Sequence, residues 1–339
     1  MNILITGGTG FIGGALSREL KNSGHNVIVT TRQQITPKDN VNPLSPPFSK
    51  GGMGGFLEKL TWDPPSLIPS DIISNIDAVI NFAGESIASG RWTKKRKELI
   101  LSSRINTTRA LVQSMRQIPL NPPLLKGDRG GLPKILISAS AIGYYGPHED
   151  EYVTEDTPPG ADFIAGVCKA WEAEALKAEG LGLRVVLLRI GVVLESDGGA
   201  LTRMAIPFKF FLGGPVGTGK QWFSWIHRDD AVGIIKYSLE NESISGPVNL
   251  TAPEPVTNRE FSTALGRVLR RPSWFAVPGF MIKPTLGELG SVLLTGQRVL
   301  PEKALKAGYK FKFTDVNEAL RAIFTTSTSS KTPYSPETT

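Results

Sequence analysis

The sequence is poor in the residues that build covalent and metal frameworks. Of its 339 residues one is a cysteine, Cys168, and three are histidines. A single thiol excludes an internal disulfide, and its neighbours offer no metal-ligand spacing. No metal is therefore expected, and a reducing compartment, the cytoplasm, is the expected location. Long apolar runs are missing as well: none reaches the ~18 residues that span a bilayer. The first residues, MNILITGG, read as a strand entering a turn and not as a cationic leader. Carboxylates are the minority charge, 31 against 38 lysines and arginines, which leaves a net charge of +7. Those cations are scattered, without the stripe that nucleic-acid binding leaves. The expected partner is a small-molecule substrate, with no nucleic acid and no membrane, and the chain reads as a monomer or homodimer.

What is present is a regular alternation. NILIT, NVIVTT, AVINFA, KILISAS, RVVLLRIG and PVNLTA are short β-branched runs separated by helical patterns over 11–22, 93–116, 163–179 and 229–240. This predicts an α/β fold, a doubly wound parallel sheet of Rossmann type covered on both faces. The alternation ends near residue 252. Residues 253–324 read as a smaller, mainly helical substrate lobe punctuated by proline, and 325–339 as a Ser/Thr/Pro-rich disordered tail. Two stretches, LSPPFSKGGMGGF (44–56) and LNPPLLKGDRGGL (120–132), match each other position by position. Neither follows a strand and opens a helix, the context that a phosphate cradle needs. They read as insertions near 42–58 and 119–133, set at junctions between core elements.

The glycines expected to work are elsewhere. GGTGFIGGAL follows the first strand and opens a helix, which places Gly7, Gly10 and Gly13 in a dinucleotide-binding spacing. With Thr9, Phe11 and Ile12 they form a turn whose backbone N–H groups and helix dipole face pyrophosphate. The second strand ends in Thr31 and Arg32, where an NAD-selective site sets a carboxylate. An arginine there suits a 2′-phosphate, so the expected cofactor is NADP(H).

The glycine turn, INFAGESI (80–87) and SASAIGYYG (138–146) resemble the extended short-chain dehydrogenase/reductases, the nucleotide-sugar epimerase and dehydratase superfamily. RWTKKRKELILSSRINTTRAL, GKQWFSWIHRDDAV and GQRVLPEKALKAGYKF narrow the resemblance to an atypical subgroup, some of whose members carry a cell-division-inhibitor label. The resemblance implies epimerase-like or oxidoreductase chemistry on a polar, nucleotide-linked substrate, or a cofactor-binding regulatory protein without turnover. It places Ala83, Gly84 and Glu85 beside the cofactor and substrate. It also implies a serine, here Ser140, and a Tyr-x-x-x-Lys pair, with Lys169 as the ribose-binding lysine. Four residues before Lys169 stands Ala165, and the neighbouring register gives Ile164 and Cys168, so neither register supplies the phenol. Tyr144 and Tyr145 are the candidate substitutes.

Three further features carry a chemical and a structural reading side by side. Arg189, at a strand end, suits a substrate anion or a structural ion pair. His227 suits substrate contact, or anchors a helix that Asp229 caps. Trp222 and Trp225 suit ring stacking or core. GGPVGTGK (213–220) lacks the hydroxyl residue of a phosphate loop, since Gln221 follows, and is expected to be a mobile pocket wall in the substrate-side segment 195–226.

Overall fold

The computed structural model describes residues 1–32, 57–118, 131–280, 282 and 287–329. The first Pro/Gly-rich stretch, the second up to residue 130, and the tail beyond 329 lie outside the described residues.

The strands are β1 (Asn2–Thr6), β2 (Asn26–Thr31), β3 (Leu57–Thr61), β4 (Ala78–Asn81), β5 (Ile135–Ala141), β6 (Tyr152–Val153), β7 (Arg184–Ile190), β8 (Val192–Leu194), β9 (Trp222–Phe223), β10 (Trp225–His227), β11 (Gly246–Leu250), β12 (Val256–Thr257) and β13 (Arg298–Val299). Seven of them form a parallel sheet in the order β11-β7-β5-β4-β1-β2-β3. Successive strands run outward from β1 in one direction up to β3 and in the other from β4 onward. The chain therefore reverses between β1 and β4, and a crevice opens there at the carboxyl edge. The expected fold class is the observed one.

The helices are α1 (Phe11–Asn22), α2 (Ser70–Ile73), α3 (Lys94–Arg116), α4 (Phe163–Leu176), α5 (Gly199–Lys209), α6 (Arg228–Glu240), α7 (Asn258–Leu269), α8 (Glu288–Leu294), α9 (Glu302–Lys306) and α10 (Val316–Ser329). On one face of the sheet, Leu16 and Leu20 of α1 and Ile234 and Ile235 of α6 close over Ile3, Ile5, Ile80 and Ile137. On the other, Leu111 and Met115 of α3 and Ala175 of α4 close over Leu4, Val79, Leu136 and Val185. Each such fully buried aliphatic chain contributes on the order of 1.5–3 kcal/mol relative to exposure, and the two layers fix the strand ends that carry the site. Local signals agree with the packing. Thr93 caps α3, Asp162 caps α4, and Thr257 with Glu260 forms a capping box on α7.

The core packed by the region after 252 draws on earlier segments too. Leu201 and Phe208 of α5 and Trp225 of β10 share a core with Phe261 and Leu265 of α7 and with Ala319 and Leu320 of α10. Helix α10 also continues to Ser329, into the segment expected to be tail.

Candidate functional site

An open cleft of about 720 Å³ lies at the carboxyl edge, lined by Gly7, Thr9, Gly10, Thr31, Arg32, Ala83, Gly84 and Glu85, among others. Its floor is the turn after β1. Gly7 has φ +69°, and a Cβ on Gly13 would come within 2.3 Å of the Gly7 carbonyl oxygen, so α1 starts closer to the strand end than any side chain would allow. That helix begins at Gly10 with no side-chain cap and no carboxylate in its first turn, which leaves its leading N–H groups facing an anion site. Phe11, Ile12 and Gly13 stand behind the lining. Phe11 packs against Gly198 and Gly199 at the start of α5 and under the Arg228 guanidinium, 5.3 Å from its ring.

The wall after β4 is set by Asn81, which is wholly buried. Its Oδ1 accepts from the Thr6 hydroxyl (2.7 Å) and the Ala83 N–H (3.2 Å), while its Nδ2 donates to Thr108 (2.9 Å) and Ser138 (3.3 Å). Beyond it, the Glu85 N–H donates to Ser103 Oγ, the Glu85 carbonyl accepts from Arg104, and its carboxylate accepts from Arg96 at 3.2 Å. Arg104 in turn lies over the Trp171 ring of α4.

The corner formed by β5 and α4 is built differently from the expectation. Along α4 the positions Cys168, Glu172 and Ala175 are buried, whereas Gly166, Lys169, Ala173 and Leu176 form the solvent stripe. With 3.6 residues per turn, a one-residue step rotates a side chain by about 100°, and Lys169 falls on the wrong side of that step. Lys169 thus lies on the exposed stripe of α4, outside the residues that line the cleft. The register turned toward β5 is Ile164 and Cys168. Ile164 lies against Gly143, and the Cys168 thiol meets the Ser140 side chain and the Ala141 backbone. Burial pushes that thiol up to about 11, which makes it a poor proton donor or nucleophile near neutrality.

Ser140 is engaged inside the fold. It is buried, and its hydroxyl donates to Glu172 Oε1 at 2.6 Å. Glu172 also takes a bidentate bond from Arg189 (both 3.0 Å). Arg189 donates onward to the Tyr145 hydroxyl and the Glu155 carbonyl (3.0 Å each), and Tyr145 donates to Asn249 at 2.6 Å. Both Arg189 and Tyr145 are buried in this network, and burial pushes the Tyr145 phenol up to about 12. Of the readings weighed for Arg189, the structural ion pair is the one present. Tyr144 alone among the expected catalytic groups is half-exposed, with its ring 3.5 Å beneath the Arg189 guanidinium and beside the Ile164 and Cys168 cluster.

Residues 3–250 match the NAD-dependent epimerase/dehydratase family. The chain belongs to that family. Residues 277–323 match a domain of unknown function, DUF1731. The chain is 40% identical over 325 residues to the epimerase family protein YfhF of Bacillus subtilis (strain 168), covering 94% of this chain and 97% of that protein. To the chloroplastic SDR39U1 homolog of Arabidopsis thaliana it is 42% identical over 323 residues, with 95% and 86% covered. Among solved structures, human epimerase family protein SDR39U1 (isoform 2) with NADPH superposes at a TM-score of 0.79 and 33% identity, over 95% of this chain and 99% of that one.

As a member of the epimerase/dehydratase family the chain is atypical at the corner just described. The remaining substrate-side candidates make defined contacts within the fold. His227, buried against Phe313, is itself the cap of α6: its Nδ1 accepts the Asp229 N–H at 3.1 Å, so the expectation that Asp229 is the cap is corrected. Trp225 is core. Trp222 stacks on Arg298 at 4.1 Å and donates to Asp150. The 213–220 loop is strapped down: Gly217 N–H donates to Val277 O (2.8 Å) and Val277 N–H to Pro215 O (2.9 Å). Sequence reasoning missed one wall of the cleft altogether, namely Trp62 and Asp63 after β3 together with Leu99, Ser102, Ser103 and Asn106 of α3. Their helical spacing of three and four within KELILSSRIN was the available signal.

Proposed function

We propose that this chain binds NADP(H) at the carboxyl edge of the sheet and carries out hydride chemistry on a polar substrate, as an oxidoreductase or epimerase-like enzyme. The observation that carries the cofactor reading is the end of β2, where Thr31 and Arg32 line the cleft in place of a ribose-binding carboxylate. The residues fit such a group. The crowding at Gly13 and the uncapped start of α1 leave a backbone cradle for pyrophosphate, and a guanidinium stands where a 2′-phosphate needs one. The human relative determined with NADPH supports the same reading.

When bound, the nicotinamide supplies or accepts the hydride. In this reading Gly7, Thr9 and Gly10 orient the phosphates, and Ala83 and Gly84, held by Asn81, border the cofactor on the β4 side. Ser140 and Tyr145 are committed to the buried network, so proton transfer falls to Tyr144. A second reading rests on the same corner. With Ile164 and Cys168 where a phenol and an ammonium would stand, the chain would bind cofactor and a ligand as a regulatory protein without turnover.

Titration with NADPH and NADH tests the first point. Arg32→Ala is expected to weaken NADPH about tenfold or more, as loss of a charged hydrogen bond does, and to leave NADH unchanged. Equal affinity of the unaltered chain for the two nucleotides would sink the assignment. NADPH oxidation with a panel of carbonyl compounds separates the two readings. Turnover that falls in Tyr144→Phe supports the enzyme, and tight binding with no oxidation by any carbonyl selects the regulatory protein.

A further inference from the structure

The cofactor cleft leaves unused a conspicuous surface at the far end of α5. Ile206 and Phe210 stand four residues apart on one side of that helix and its continuation, and Phe210 is 70% exposed. The chain then turns through Phe211 with φ +63°, a left-handed conformation uncommon for a bulky side chain, and Phe211 and Leu212 are both exposed. Trp274, 77% exposed, docks alongside by donating its Nε1–H to the Phe211 carbonyl at 3.1 Å. Phe275 follows, its N–H bonded to the Gly213 carbonyl at 3.2 Å. Two segments distant in sequence thus present four aromatic rings and two aliphatic side chains to solvent, a patch of the kind that marks an interaction surface.

The two segments that build the patch carry charge of one sign. Residues 199–221 and 261–280 contain six lysines and arginines and no carboxylate. Lys209 and Arg270 are exposed, and the Arg271 guanidinium lies 4.6 Å over the Phe211 ring. A second copy of this chain docking face to face would bring its own cations against these. An anionic bilayer surface complements them, and tryptophan and phenylalanine beside cations are the side chains that enter a headgroup boundary.

We propose that this face docks the protein on anionic phospholipid. Among the described residues no helix is long and apolar enough to cross a membrane, so the contact is peripheral. It goes beyond the expectation of no membrane partner, which rested on runs within the sequence and not on a patch assembled from two of them.

The test is co-sedimentation of the full chain with phosphatidylcholine vesicles, with and without phosphatidylglycerol. Binding is expected to the anionic vesicles and to weaken with added salt. Trp274→Ala combined with Phe210→Ser should lower it at least about tenfold, and Lys209→Gln with Arg270→Asn by a comparable factor, since each surface cation contributes ~1 kcal/mol, roughly fivefold. NADPH affinity, read in parallel, should hold in all variants and so reports that they are folded. Absence of binding to anionic vesicles overturns the proposal, as does binding that survives Trp274→Ala with Phe210→Ser. Self-association by sedimentation that the same pair abolishes would overturn it in favour of a second copy.

Discussion

The two halves of the carboxyl edge are made of different materials. The half around β1, β2 and β4 is a backbone site: a positive-φ glycine, a helix start pressed onto a carbonyl oxygen, and a buried asparagine that fixes the next turn. The half around β5 and α4 is a side-chain site, and its side chains face one another, with Ser140, Glu172, Arg189, Tyr145 and Asn249 closed into one network. A cradle made of main chain keeps its shape whatever surrounds it, while a site made of side chains changes its chemistry with two residues. Family membership is therefore readable from the first half, and departure from the family's usual chemistry lies in the second.

The comparison breaks most visibly at Glu172. Glu172→Ala leaves the Arg189 guanidinium buried without its carboxylate, and we expect it to destabilise the fold by roughly 3–5 kcal/mol, read in a denaturant titration. A loss near zero would mean that the network is not what holds this half. Gly13→Ala strikes the other half. Overpacking of this kind costs about 1–3 kcal/mol, and here it should appear mainly as lost NADPH affinity with the melting temperature lowered less.

A smaller effect is expected at His227. Burial lowers its pKa below the ordinary 6.5, with Asp229, Glu195 and Asp230 opposing, so the unfolded chain takes up a proton before the folded one does. Stability should fall as pH drops through that value, and His227→Asn, which keeps a capping acceptor, should flatten this part of the profile. The smallest effect belongs to Lys169→Ala, expected within about 0.5 kcal/mol in stability and without change in NADPH affinity. A tenfold loss of affinity there would return the lysine to the cofactor.

What could be read from sequence follows the same division. The strands β1, β2, β4, β5, β7 and β11 announce themselves as β-branched runs, and α1 is legible because the glycine spacing directly after a strand is the context in which a helix starts. Strand β3, LEKLT, is a half-exposed edge directly after the first Pro/Gly-rich stretch and carries no apolar run. Helix α5 holds Pro207 and opens on glycine, so local signals spoke against it, and only its burial on Trp225 and Phe261 explains it. At the corner of β5 and α4 the two registers are both visible as letters. Choosing between them needed the buried face, which depends on which side of the helix Glu172 and Trp171 turn toward the sheet. Ser140 looked available because a strand covered on both faces gives no alternation to show which side its hydroxyl takes.

The bidentate clasp of Glu172 on Arg189 has a consequence for anyone who would alter this protein. It pins the rotation of α4, so a tyrosine written in at 165, four residues before the existing Lys169, would gain nothing. A designer has one address for a tyrosine and lysine pair, 164 and 168, and must first make room against Gly143 and the rings of Tyr144 and Trp92.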